Sequence, residues 1–274
     1  MKWFISIIYS FYFSSRHLIQ GLTRLKLHNK QISYSCNYNY DNCNNFNMSS
    51  IDNIEEIPNS ELIYLARISE QCERYEDMTL YISQFIRKER RELTKSERTV
   101  LSSAYKGLIG AKRQAWRMLS SIKTNEENKG SETNVARAET YKGKLEAEVK
   151  ECCNGILTLI DSDLIPVSSN AEAKVFYSKL KGDYYRYISE CSLGSERDAA
   201  TQSAYQSYRT AYDSAIHELA CTNPIRLGLA LNFSVFNFEI LRNKQQACRL
   251  AKQAFDEGTA ELGNVSAESY KECS

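Results

Sequence analysis

The stretch Ala104-Tyr-Lys-Gly-Leu-Ile-Gly-Ala-Lys-Arg-Gln-Ala-Trp-Arg117 decides the fold. It contains no proline, and its charges repeat at helical spacing. Lys106, Arg113 and Arg117 sit at i, i+7 and i+11. At about 100° per residue Arg113 and Arg117 fall about 20° to either side of Lys106 and form with it a narrow cationic stripe. Leu101, Ala104, Leu108, Ala115 and Leu119 fall on the other side, so the stripe reads as surface and the remainder as core. Further along, Lys179-Leu-Lys-Gly-Asp-Tyr-Tyr-Arg-Tyr187 carries Lys179, Asp183, Arg186 and, at its flank, Tyr187. Two arginines from different helices plus a phenol suit a phosphate ester, which guanidinium forks hold in a bidentate way.

The rest of the chain agrees with a helical protein. Its 274 residues include only 3 prolines and 11 glycines, which disfavours a many-turned β architecture. Apolar residues make up 42% and charged residues 25%, ordinary for a globular chain. Lysine plus arginine total 35 against 34 acidic residues, so bulk charge does not point to nucleic acid. Anion recognition must therefore come from local arrangement. The 9 cysteines are scattered without a C-x-x-C, and the histidines are only His17, His28 and His217, which argues against a zinc site. Reduced thiols in a cytoplasmic protein are the expectation, with no metal and no cofactor. The 18 tyrosines sit mostly at helical spacing and read as packing residues.

Helical periodicity begins near Asn59. Ser60 to Cys72 is amphipathic through Leu62, Leu65, Ile68 and Cys72, with Asn59 or Ser60 placed as its cap. Helices are expected over 75–88, 96–123, 136–159, 170–191 and 199–219, then from Ile225 after Asn223-Pro224, and over 245–262. Asn125 to Thr133 reads as a loop, and the turn 161–166 ends the fourth helix. There is no Rossmann glycine pattern, no P-loop and no 34-residue self-similarity, so the expectation is one nonrepeating all-α domain of about eight antiparallel helices.

Residues 1–47 differ. The apolar run Trp3 to Phe13 is shorter than the roughly 20 residues a membrane span needs, and Ser14-Ser15-Arg16 is a poor cleavage site. An Asn/Tyr-rich stretch follows, without periodicity. This segment reads as a low-complexity or mispredicted extension, disordered, with the helical domain over 48–274 and translation starting at Met48.

The two cationic segments resemble the 14-3-3 family, as does Asn223-Pro-Ile-Arg-Leu-Gly-Leu-Ala-Leu-Asn-Phe-Ser-Val-Phe236. The resemblance covers roughly residues 58–272. Lys181-Gly-Asp-Tyr-Tyr-Arg-Tyr187 and Leu229-Ala-Leu-Asn-Phe-Ser-Val-Phe236 match family signatures. It implies an all-helical, dimeric adaptor, not an enzyme, that binds phosphoserine and phosphothreonine segments of client proteins and regulates them. Matched by position, the phosphate pocket falls on Lys106, Arg113, Arg186 and Tyr187. The peptide groove falls on Lys179, Gly228, Leu231, Asn232, Val235 and Glu239, with Asn232 bonding the peptide backbone. The dimer interface falls on Ile68, Cys72 and Tyr141, with intersubunit pairs Arg74–Glu148 and Asp77–Lys144. Arg117 would support the cationic cluster or border the interface, and Asp183 would orient Arg186.

Two departures stand out. Ser103 occupies a position where an apolar groove residue is usual, and the chain stops before the family's last helix, whose residues complete the groove. The implied partners are phosphorylated clients and a second subunit, a like chain or a paralogue, with no nucleic acid and no membrane span. The competing reading is a phosphate-independent helical scaffold or holdase-like module that binds through apolar surface.

Overall fold

The computed structural model describes residues 54–261. The expectations for residues 1–47 lie outside the described residues. Among the described residues are eight α-helices and no strand: α1 (Asn59–Gln71), α2 (Tyr75–Glu89), α3 (Lys95–Asn128), α4 (Glu132–Leu159), α5 (Ala171–Cys191), α6 (Gly194–Glu218), α7 (Pro224–Glu239) and α8 (Lys244–Glu261).

The local chemistry sets most of the boundaries. Thr94 accepts from the Glu97 amide and Glu97 reaches back to the Thr94 amide, a reciprocal capping box that starts α3 one residue before the expected point. Asn170 caps α5 through the Glu172 amide. Asn223 caps α7 through the Ile225 and Arg226 amides, and Pro224 takes the first helical position, where its missing N–H costs nothing. Two expectations are corrected. Neither Asn59 nor Ser60 caps α1: Pro58 holds that position without a side-chain bond, and the Asn59 amide donates instead to Glu89 on α2 at 2.9 Å. The polar stretch after Lys123 does not start a loop, because α3 runs on to Asn128 before turning at Gly130, whose φ is +70°. Ion pairing of Lys123 with Glu127 and Glu139 supports that extra turn. The expected turn near Asp161 is one π-helical turn, Ile160–Leu164, that continues α4.

Consecutive helices pack against one another in pairs, and α5 also contacts α7. Two apolar clusters result. The first joins Leu62, Met78, Ile82, Leu101, Ile109, Val149, Cys153 and Ile156 to Tyr177, Leu180 and Tyr184 of α5. The second joins Val175 of α5 to Tyr208, Leu229, Phe233, Phe236 and Leu250. Helix α5 thus has apolar residues in both clusters, and its remaining positions carry the charged residues of the site. Backbone approach at two places explains two glycines. A Cβ on Gly107 would lie 2.2 Å from the Tyr75 ring, and one on Gly182 would lie 2.6 Å from the Tyr208 ring. Neither ring could seat beside a larger residue.

Candidate phosphate site and its groove

The cationic stripe of α3 is not the solvent-facing ridge its spacing suggested. Arg113 is only 17% exposed in its side chain and Arg117 37%, because both turn toward Glu190 of α5. Arg113 donates through Nε and Nη2 to Glu190 Oε2 at 3.1 and 2.6 Å. Arg117 donates through Nε to Glu190 Oε1 at 2.7 Å and through Nη2 to the same oxygen. Arg113 and Arg117 thus share one carboxylate, each taking a different oxygen. Lys106 lies two turns earlier on α3, exposed and without an ion-pair partner among the described residues. The expected apolar side of α3 holds only in part: Leu101 and Ala104 are buried, Leu108 and Leu119 half-buried, and Ala115 exposed.

The α5 residues meet this wall through an aromatic ring. The Arg113 guanidinium carbon stands 3.7 Å from the Tyr187 ring centroid, and that of Arg186 stands 4.7 Å from it. Both are close cation–π contacts, which orient like-charged groups beside one π face system rather than leaving them to repel through water. Tyr187 in turn meets the Tyr184 ring edge-on at 5.4 Å, and Tyr184 meets Tyr105 at 6.4 Å, so the ring is braced from the core.

Behind Arg186 is a buried polar network that links α5, α6 and α7. Arg186 Nε donates to the Tyr208 hydroxyl at 3.1 Å, and Tyr208 donates to Asp183 Oδ1 at 2.5 Å. Lys179 Nζ donates to Asp183 Oδ2 at 2.9 Å. Asn232 Nδ2 reaches both Asp183 oxygens, at 2.8 and 3.0 Å. Burial alone would raise the Asp183 carboxyl, but the Lys179 and Arg186 charges and the Tyr208 bond outweigh it and hold it below the usual range. Burial likewise opposes ionisation of Glu190, and the Arg113 and Arg117 charges overcome it. Both carboxylates are ionised at neutral pH. Because Asn232 turns its amide donors toward Asp183, its carbonyl oxygen is the end left for another partner.

The other candidate groove positions follow along α7. Gly228 faces the Lys179 stem, since a Cβ there would sit 3.7 Å from Lys179 Cε. Leu231 is 36% exposed, and Val235 and Glu239 are half-buried. Ser103 is half-buried on α3. The interface candidates lie on α1, α2 and α4. Tyr141, Cys72, Arg74 and Lys144 are exposed, while Ile68, Asp77 and Glu148 are half-buried. Within the chain Arg74 pairs with Asp77 at 2.5 Å and Lys112 with Glu148 at 3.0 Å, so the implied intersubunit pairs would replace or share these. Tyr141 and Lys144 border an open depression of about 710 Å³ along α4. Sequence reasoning missed Glu190 and Tyr208, and it missed an exposed apolar run of Ala115, Met118 and Ile122 on α3. The i+4 spacing of Glu190 from Arg186 was the only sequence hint for the first.

Among the described residues no group of three His, Cys, Asp or Glu side chains could hold a metal ion, and no helix is long and apolar enough to cross a membrane. The fold and this cluster define an all-helical protein with a charged, aromatic-braced wall between its third and fifth helices.

The 14-3-3 protein family profile matches residues 65–274. The chain is 51% identical over 213 residues to the 14-3-3-like protein GF14-C of Oryza sativa subsp. japonica, covering 77% of this chain and 83% of that protein. It is 50% identical over 213 residues to the 14-3-3-like protein GF14 nu of Arabidopsis thaliana, covering 77% and 80%. It is 51% identical over 215 residues to 14-3-3 protein 2 of Solanum lycopersicum, covering 77% and 84%. The chain belongs to the 14-3-3 family. Membership carries a phosphoprotein-binding adaptor role in general, rather than an enzymatic one.

Proposed function

We propose that this protein is a dimeric cytoplasmic adaptor that binds phosphoserine- or phosphothreonine-containing segments of client proteins and regulates them. Lys106, Arg113, Arg186 and Tyr187 take the phosphate. The observation that carries this reading is the meeting of Arg113 and Arg186, from two helices, on the one Tyr187 ring at 3.7 and 4.7 Å. Guanidiniums so placed can each offer two N–H donors to a phosphate oxyanion, and Lys106 adds a mobile point charge. The Tyr187 hydroxyl donates a further bond.

Lys179, Gly228, Leu231, Asn232, Val235 and Glu239 line the groove for the rest of the peptide. Leu231 and Val235 supply apolar contact, and the Asn232 carbonyl oxygen accepts from the peptide backbone. Ile68, Cys72, Arg74, Asp77, Tyr141, Lys144 and Glu148 form the subunit interface, homodimeric or with a paralogue. The exposed Ala115, Met118 and Ile122 add apolar area to it. Two grooves per dimer would favour doubly phosphorylated clients through effective concentration.

Calorimetry with a phosphoserine peptide and its unphosphorylated twin tests the reading. The protein binds only the phosphorylated form, and Arg113→Ala or Arg186→Ala abolishes that binding with helicity intact. Equal affinity for the two peptides would refute it and favour the phosphate-independent scaffold.

A further inference from the structure

Arg113 meets Glu190 through one edge only. A guanidinium has a side edge, Nε with one terminal nitrogen, and an end edge formed by its two terminal nitrogens. Glu190 Oε2 takes the side edge of Arg113 at 3.1 and 2.6 Å. Among the described residues Arg113 Nη1 has no hydrogen-bond partner, so the end edge stays open. The same carboxylate takes Arg117 through its other oxygen. Arg186 repeats the pattern, since its Nε goes to Tyr208. Glu190 lies one helical turn past Arg186 on α5, so a single acidic residue fixes the α3 wall against the helix that carries the second arginine.

We propose that Glu190 is a positioning residue of the phosphate site: it grips Arg113 and Arg117 by their side edges and points the end edge of Arg113 at the phosphate. The proposal rests on the phosphopeptide reading above. Its consequence has a definite sign. On charge alone, an anion next to a phosphate site opposes binding, so neutralising it would tighten binding. Positioning predicts the reverse. Without Glu190 the long Arg113 side chain regains rotamers that must be lost again on binding, and its approach to Tyr187 loosens.

The test uses the full chain with Glu190→Gln, which preserves size and removes the charge, and Glu190→Ala as a second variant. The probes are a singly phosphorylated serine peptide and its unphosphorylated twin. Both variants should bind the phosphopeptide about tenfold more weakly than the parent, with circular dichroism unchanged. Glu190→Gln combined with Arg113→Lys should bind no more weakly than Arg113→Lys alone, because an ammonium has no side edge to lose. Arginine Nε–H resonances of Arg113 and Arg117, sharp in the ligand-free parent, should broaden in Glu190→Gln. Equal or tighter phosphopeptide binding by Glu190→Gln, or additive losses in the double variant, overturns the positioning role while leaving the phosphopeptide reading intact. Failure of the parent itself to prefer the phosphorylated peptide sinks both.

Discussion

Replacing Tyr208 by Phe removes one oxygen atom from the centre of the network behind Arg186. The ring is fully buried and stacks on Phe233 at 5.5 Å, so phenylalanine fills the same space and leaves no cavity. What is lost is polar: the bond accepted from Arg186 Nε at 3.1 Å and the bond donated to Asp183 at 2.5 Å. Hydrogen bonds to charged groups contribute about 1.5–3 kcal/mol each. Asp183 retains Lys179 and Asn232, so its share of the loss is reduced. Arg186 fares worse, because its terminal nitrogen stands 3.6 Å from Asp183, too far to replace the lost acceptor. A net cost of about 2–4 kcal/mol follows, equivalent to a fall in Tm of roughly 6–12 °C for a domain of this size. Urea unfolding followed by circular dichroism measures it. Tyr105→Phe is the control: among the described residues its hydroxyl bonds only the neutral Ser83 hydroxyl, at 3.0 Å, and the expected cost is about 1 kcal/mol. Equal costs for the two variants would refute a charge-assisted network around Arg186.

Three more outcomes follow from the same geometry. Gly182→Ala should be destabilising by about 1–3 kcal/mol despite alanine's better helix propensity, because the new Cβ must displace the buried Tyr208 ring; Gly143→Ala, with nothing within 4 Å of its Cβ, should be neutral or stabilising in the same unfolding assay. Asp183 and Glu190 have folded pKa values below their unfolded ones, so the stability they contribute is complete at neutral pH and is lost as pH falls through the carboxylate range. Thermal scans from pH 7 to 3 should show a falling Tm, with a shallower fall in Glu190→Gln. Burial raises the Cys152 thiol to about 12 and the Cys191 thiol to about 11, so both should resist iodoacetamide at pH 8 in the native protein and react once it is unfolded in urea, as read by peptide mass spectrometry.

The helices were legible because periodicity and caps are local. Asn170, Asn223 and the Thr94–Glu97 pair act within one turn of sequence, and each starts its helix within one residue of the expected point. The misreadings have tertiary causes. Asn59 looked like a cap, but Glu89 from the next helix competes for its side chain. Polarity after Lys123 looked like a loop, but Glu139 from α4 pairs with Lys123 and holds the helix together. The same limit applies to the site. Spacing showed that Lys106, Arg113 and Arg117 share a face of α3, yet not that the face turns inward onto Glu190. Tyr208 carries no motif at all. Its trace in the sequence is a missing side chain at Gly182, which becomes meaningful only once α6 lies against α5.

The two carboxylates also explain how the cluster exists without a ligand. Lys106, Arg113, Arg117, Lys179 and Arg186 would crowd five positive charges onto neighbouring faces of α3 and α5. Arg186 is only 8% exposed, and an unpaired guanidinium at that depth is strongly destabilising. Asp183 and Glu190 offset two of the charges, and the remaining three exceed the roughly −1.5 to −2 of a phosphate ester at neutral pH. Each carboxylate or its phenol relay engages an Nε edge, so compensation is delivered along one edge of the guanidinium, and Arg113 Nη1 keeps no bond among the described residues. An acidic residue beside the proposed phosphate site therefore serves both requirements. It lets the arginines be buried in the ligand-free chain, and under the positioning proposed for Glu190 it fixes the direction in which the open edge of Arg113 points.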